Sequence, residues 1–420
     1  MTYNEAAFAA GFADYLREIA PGTVERERKR ELPHQQIRDL FALGFGTLRL
    51  PSQWGGFGWD LPRALDAVID LAAADPHVAH ALRGHFNVIE DSRLAAPDHH
   101  PDLIARLAAG DLVGTAYSER KLAPEQDARL ELREGVYHLS GVKYYTTGSV
   151  YADWIVAAGR DVETGKQINV IVDAHESGVE IVDDWDGFGQ TLTGSGTTRF
   201  TDVPVAYRNH VDAGSELTPA HSHQIAFLQV YLLSVIAGIS AAVARDAVEY
   251  VRPRKRTFGV GSIAEPRRNP LVQEVVGELH GIAQSVRSIV LEEARQLDAL
   301  QVLLHDNTID DSAKSAAAGE RLIRVYSIQS PVIDLALRGA TRLFDVGGAS
   351  ATSVDLVLDR HWRNIRTIGA HNPAGQRLQQ VGNFRLNGIL PPSLGGLEPG
   401  DIGIIATTPD LSTSTEGVVR

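Results

Sequence analysis

The spacing of apolar positions divides the chain into three stretches of different character. In the first, apolar residues recur at helical intervals, which predicts a helix over Glu5–Ile19 that stops at Pro21-Gly22. A second helix opens at Leu32-Pro33 and runs to Leu43, where Gly44 ends it. The glycine-rich stretch from Pro51 to Gly58 reads as a loop. Helices are expected at 61–74, with Asp60 as N-cap ahead of Pro62, and at 76–89.

From about Leu112 the period shortens. Alternating runs at Ala128–Leu132, Val136–Ser140, Trp154–Ala158, Ile168–Val172, Val179–Ile181 and Thr197–Phe200 are separated by Gly and Asp turns, which predicts a β domain ending near Ala213. Helical spacing returns at Pro219, with segments expected near 219–252, 270–300, 311–343 and 350–360. Val381 to Arg420 is rich in Gly, Pro, Ser and Thr and reads as mostly irregular. The expected domains are 1–111 helical, 112–213 β, 214–390 helical and 391–420 an irregular tail. An α, then β, then α order excludes a doubly wound sheet, which needs strands and helices to alternate throughout.

Composition narrows the chemistry. The 420 residues carry 40 Lys+Arg against 53 Asp+Glu, a formal charge of −13, so a broad nucleic-acid surface is not expected. There is no Cys, which removes disulfide scaffolds, thiolate zinc sites, Fe–S clusters and cysteine nucleophiles. MTYNEAAFAA lacks the basic and apolar pattern of a signal peptide. Phe227 to Ala244 is 18 residues without a charge, and it reads as a helix buried in a bundle rather than a membrane span. A soluble, cytoplasmic protein is the expectation.

Few motifs carry chemistry unaided. Neither GxGxxG nor GxxxxGK[ST] occurs between a strand and a helix, and Gly194-Ser195-Gly196 reads as a turn. His99-His100 and the pair His221 and His223 lack helical ligand spacing, so no metal site is expected and they read as solvated loop residues. Arg252-Pro253-Arg254-Lys255-Arg256 is either a solvated helix end or a phosphate site. His371-Asn372-Pro373 follows a polar run from Asp359 to Arg366, and a His there can exchange protons near neutral pH.

Four stretches in order resemble the acyl-CoA dehydrogenase superfamily. They are Leu48-Arg49-Leu50-Pro51 with Gly55-Gly56-Phe57-Gly58; Ser140-Gly141-Val142-Lys143-Tyr144-Tyr145-Thr146-Thr147-Gly148-Ser149 with Ala152-Asp153-Trp154; Lys255-Arg256-Thr257-Phe258-Gly259 with Gln273; and Leu343-Phe344-Asp345-Val346-Gly347-Gly348 with Asp359-Arg360 and Arg363-Asn364. The resemblance implies an α+β fold: an N-terminal helical domain, a middle β-barrel domain and a C-terminal four-helix bundle, usually tetrameric, holding a flavin between barrel and bundle.

One departure redirects the implied function. Dehydrogenases of this superfamily place a catalytic Glu where Asn372 falls here, and an amide cannot act as that base. Glu249 is the only candidate for the alternative base position. His371-Asn372-Pro373, Asp186-Gly187-Phe188-Gly189-Gln190 and Thr193-Gly194-Ser195-Gly196-Thr197-Thr198 resemble instead the two-component flavin monooxygenase branch related to dibenzothiophene monooxygenase. The branch implies FMN, with FAD as the alternative, reduced by a separate flavin reductase and reaching the enzyme by diffusion. Reaction with O2 gives a C4a-hydroperoxyflavin that oxygenates a small aromatic or heterocyclic substrate, such as dibenzothiophene or an indole. The alternative is a FAD-dependent acyl-CoA dehydrogenase or oxidase with a displaced base.

The same resemblance implies the site. Thr147 would hydrogen-bond flavin N5, Tyr145 would lie against the isoalloxazine, and Ser118 would donate to its pyrimidine edge or to substrate. His371 and His85 would be the catalytic histidines, His371 supplying a proton or a hydrogen bond to the activated oxygen, while Ile368 stands where some relatives carry a further His. Lys255, Arg256 and Phe258 would meet the flavin phosphate, with Gly347, Gly348 and Ser350 approaching from an adjacent subunit.

Overall fold

The computed structural model describes residues 4–95, 100–119, 126–208, 217–255 and 265–391. Arg256, Phe258, His99 and the tail beyond residue 391 lie outside the described residues. Seven helices come first: α1 (Glu5–Ile19), α2 (Thr23–Lys29), α3 (His34–Ala42), α4 (Leu61–Ala74), α5 (Pro76–Ala81), α6 (Arg83–Leu94) and α7 (Pro101–Ala109). Local chemistry sets several of their ends. The Asn4 side chain accepts from the amides of Ala6 and Ala7 at the start of α1, and Asp60 accepts from Arg63 N ahead of α4. Helix α2 was not expected, and the single helix read over 76–89 is two, broken at Leu82. That break puts Arg83 on the first turn of α6.

Eight strands form one sheet: β1 (Val113–Ala116), β2 (Arg129–Arg133), β3 (Val136–Lys143), β4 (Trp154–Asp161), β5 (Gln167–Asp173), β6 (Val179–Val182), β7 (Thr197–Pro204) and β8 (Tyr207–Arg208). Their order is β6-β7-β3-β2-β4-β5-β8, with β1 joined to β4. β1 and β2 run parallel to β4, and the other pairs are antiparallel. The β3–β7 register slips between Leu139 and Gly141. A bulge fits there because Gly141 has φ +145°, and a Cβ would sit 2.4 Å from Ala128 Cα.

The C-terminal region holds α8 (Pro219–Val251), α9 (Pro270–His305), α10 (Asp311–Arg342), α11 (Arg360–Gly369) and α12 (Ala374–Asn387). Helix α8 packs against α4, α9 and α10, so its long apolar run is a core feature and 89% of its most apolar window is buried. His221 and His223 are buried within its first turns, which corrects their reading as solvated loop residues.

Two helical expectations fail. No α-helix forms over 350–360; a short 3-10 turn at Gly348–Thr352 precedes α11, and Ala351, Val357 and Leu358 are buried without one while Val354 is 85% exposed. Conversely, α12 forms in part of the stretch read as irregular. It packs on α10, the Arg377 guanidinium lies 4.1 Å from the Tyr326 ring centre, and Gly388 ends it with a left-handed turn. For α12, tertiary packing outweighs local propensity.

Candidate functional site

The sheet builds one wall of the site. After the Gly141 bulge, Lys143 turns inward and pairs with Glu119 at 2.5 Å. The Tyr144 amide donates to Ser118 O at 2.9 Å, which sets Ser118 beside the turn that follows β3. Tyr145 then adopts φ +59°, a conformation that costs a non-glycine residue about 1–3 kcal/mol. Its neighbour holds it there: Thr146 donates from both its amide and its hydroxyl to Gly196 O at 3.0 Å and accepts from the Thr198 hydroxyl at 2.8 Å. The Tyr145 ring is left half exposed, edge-on to Trp185 at 6.0 Å.

Helices build the facing wall. A cavity of about 380 Å³ lies between them, within the range of about 300–1,000 Å³ usual for small-molecule sites. Thr115, Tyr117, Ser118, Tyr145 and Asn169 line it from the sheet side; Arg83, Gln224, Gln229, Tyr326, His371, Asn372 and Arg377 line it from the helices. Arg83 Nη2 donates to His371 Nε2 at 3.2 Å. A guanidinium only donates, so a neutral His371 carries its hydrogen on Nδ1. In the next residue, Asn372 Nδ2 donates to Gln229 Oε1 at 2.6 Å. His371 is exposed to the cavity, yet loss of bulk water around the ring, the charge of Arg83 and then His80 hold its pKa well below 6.5.

A further layer fixes the helices behind this wall. His80 Nδ1 bonds Gln190 Oε1 at 3.0 Å, and the Gln190 amide donates to Asn364 Oδ1 at 2.6 Å. Glu27 receives His77 Nε2 at 3.1 Å and Arg363 Nη1 at 2.8 Å, tying α2, α5 and α11 together. Burial acts to raise the Glu27 pKa, but the His77 hydrogen bond and charge and the Arg363 guanidinium more than offset this and bring it to about 2. The folded value is depressed, so this stabilisation is complete above the ordinary carboxyl value of 4.5 and is lost as pH falls toward about 2. Acid titration followed by circular dichroism is expected to show Glu27→Gln with a shallower loss of stability across that window; an unchanged slope would exclude the pair as a source.

The cavity fits a flavin. Tyr145 and Tyr117 supply ring faces, Ser118 a hydroxyl, and the buried Gln224 Nε2 has no hydrogen-bond partner in the protein. These are the groups that a flat ring with polar edges requires. Such a flavin would be held by Tyr145, Ser118 and Gln224 at its ring.

The expected site residues divide. His371, Ser118 and Tyr145 meet at the cavity. Thr147 lies behind the wall, its hydroxyl 2.8 Å from Ser195 Oγ. The expectation for His85 has to be corrected: its Nε2 bonds Gly46 O at 2.8 Å, its Nδ1 accepts the Val113 amide at 3.4 Å, and it does not line the cavity. Arg83, two residues earlier on α6, faces the cavity instead. Lys255, Gly347, Gly348 and Ser350 also stand outside the cavity lining. A Cβ on Gly347 would sit 2.3 Å from the Tyr250 ring, so intramolecular packing already demands that glycine. Among the described residues no group of three or more metal-ligating side chains occurs.

Sequence reasoning missed Arg83, Arg377 and Gln224. Arg83 stands two residues before His85, and nothing in its local sequence marks it. Nothing local marks Arg377 or Gln224, which helices distant in the chain bring to the cavity.

Comparison with known proteins places this geometry in context. The family described as "Acyl-CoA dehydrogenase, N-terminal domain" matches residues 3–111, and "Acyl-CoA dehydrogenase, C-terminal domain" matches residues 230–375. The chain is 28% identical over 392 residues to a dibenzothiophene monooxygenase of Mycolicibacterium goodii, covering 90% of this chain and 93% of that one. It is 26% identical over 380 residues to a probable FMNH2-dependent monooxygenase, SfnC, of Pseudomonas putida, covering 89% and 93%. The solved structure of TdsC from Paenibacillus sp. A11-2 with FMN and indole superposes with a TM-score of 0.83 at 23% identity, covering 93% of this chain and 99% of that one.

Proposed function

The chain belongs to the acyl-CoA dehydrogenase family, and from that premise we propose that it is a reduced-flavin-dependent two-component monooxygenase, not a dehydrogenase. One observation carries the reading: among the described residues, no Asp or Glu lines the cavity. Abstraction of an acyl α-proton requires a positioned base. Asn372 stands at the expected place with its amide committed to Gln229, and Glu249 lines a separate groove, exposed, 3.9 Å from Arg245.

When bound, reduced FMN supplies the electrons that activate O2, one oxygen atom going to substrate and the other to water. Tyr145 and Ser118 orient the ring, with Thr147 behind them, and Tyr117 and Tyr326 keep the chamber dry. His371, held neutral, offers the hydrogen on Nδ1 toward the reacting oxygen, while Arg83 fixes its tautomer. The substrate is a small aromatic or heterocyclic molecule. The flavin is reduced by a separate reductase, and the working form is a cytoplasmic homotetramer in which Lys255, Arg256, Phe258 and a neighbour's Gly347, Gly348 and Ser350 serve the phosphate end.

Photoreduced FMN mixed with the protein, isotopically labelled O2 and candidate heterocycles tests this. One labelled oxygen in product is the expected result. Bleaching of bound oxidised flavin by an acyl-CoA, with no labelled product, would overturn it in favour of a dehydrogenase.

A further inference from the structure

Five cationic side chains are buried among the described residues, and they fall into two groups. Arg26 is paired with Asp75 at 2.8 Å, Arg49 with Glu90 at 2.6 Å and Lys143 with Glu119 at 2.5 Å. Arg83 and Arg377, each 7% exposed, have no carboxylate partner among the described residues. Both line the same cavity. Each also has an Nε atom that is buried and without a hydrogen-bond partner. Arg83 donates to His371, and Arg377 donates from Nη1 to Gln380 Oε1 at 2.9 Å, so neutral groups are their protein partners.

A buried guanidinium without a counter-charge is costly, because neither water nor a carboxylate replaces its hydration. Burial lowers the Arg83 pKa to about 10, which still leaves it charged at neutral pH. Natural proteins accept such a cost at sites where a ligand completes the pair. A guanidinium is also the group best shaped for two oxygens of one oxyanion.

We propose that Arg83 and Arg377 form the recognition site for an oxyanion carried by the substrate, a carboxylate or a sulfur oxyacid, so that the molecule oxygenated here is an organic acid. The inference rests on the monooxygenase reading for the word substrate, but the anion site itself does not depend on turnover. It narrows the class of aromatic and heterocyclic substrates to members bearing a fixed negative charge. The anion would complete the two guanidiniums and leave the uncharged end of the molecule toward Tyr145 and Tyr117.

Binding to the protein loaded with oxidised FMN separates this from catalysis, because no turnover occurs. Calorimetry would compare benzenesulfinate with methyl phenyl sulfoxide, and benzoate with benzamide. The charged member of each pair is expected to bind about 10- to 100-fold more tightly. Arg83→Gln and Arg377→Gln are each expected to remove most of that preference while FMN affinity holds. Arg377 lies on the first turns of α12, so its variant serves if Arg83→Gln does not fold. Equal binding of charged and neutral members by the wild type would overturn the proposal. So would an equal loss of FMN and acid affinity, which would make the guanidiniums flavin ligands. Labelled-O2 incorporation is scored separately. If the charge preference stands and no ligand is oxygenated, the monooxygenase reading fails and the anion site remains.

Discussion

His371→Ala is expected to lower product formed per O2 consumed by roughly 10²-fold, with H2O2 rising in its place. The imidazole lines the cavity and is oriented by Arg83, whose Nη2 lies 3.2 Å from Nε2. Removing it takes away the Nδ1 hydrogen and also leaves Arg83 with one fewer acceptor. The wild type is expected to show no inflection in coupling near pH 6.5, because loss of bulk water and the Arg83 charge hold His371 neutral through that range. Paired assays of product and peroxide across pH would check both points. Unchanged coupling in His371→Ala would remove this residue from the mechanism, and a wild-type inflection near pH 6.5 would place its pKa at the ordinary value.

Arg49→Met is expected to destabilise the protein by about 3–5 kcal/mol, the usual cost of leaving one half of a buried ion pair behind. Arg49 is 1% exposed and satisfies five acceptors: both carboxylate oxygens of Glu90 at 2.6 and 3.0 Å, Trp59 O at 2.7 Å, Asp298 Oδ1 at 3.0 Å and Gln301 Oε1 at 3.2 Å. The cluster joins the loop before α4 to α6 and to α9 of the C-terminal helices. Without Arg49, the buried Glu90 keeps a hydrogen bond from Gln301 and only the more distant Arg93 guanidinium, at 4.0 Å, as counter-charge. The double variant Arg49→Met/Glu90→Leu should recover part of the loss, because it removes the buried Glu90 carboxylate along with its main partner. Urea unfolding of the two variants against the wild type measures this, and a double variant no better than Arg49→Met would show that packing, not charge, is at stake.

These two sites differ in how far the sequence exposed them. His371 was legible because a polar cluster ends in His-Asn-Pro where the family carries a carboxylate. Arg49 appeared only as part of a quoted loop motif, with no role attached. Its role depends on Glu90, Asp298 and Gln301, which lie 41 to 252 residues away in the chain.

Element order and type were settled by local chemistry. Asn4 caps α1 and Asp60 caps α4 through contacts within a few residues, and β2 to β7 were legible from runs of β-type residues between turns that each strand carries in itself. β1 is buried along its whole length and shows no alternation, and β8 spans only two residues, so neither carries that signal. Helix α12 is not legible locally, because packing against α10 outweighs propensity there.

The sequence by itself thus determined an α, β, α chain of a recognisable family in which the expected acid base is replaced by an amide. Only the tertiary structure decided which polar groups share a chamber. Two residues along an α-helix are separated by about 200° of rotation, so Arg83 and His85 cannot face the same way. His85 turns to Gly46 and Val113, while Arg83 turns to His371, 288 residues away, and into the cavity with Arg377. Chain spacing encodes the face a residue occupies, but which distant face it meets, and whether a carboxylate waits there, is set by packing.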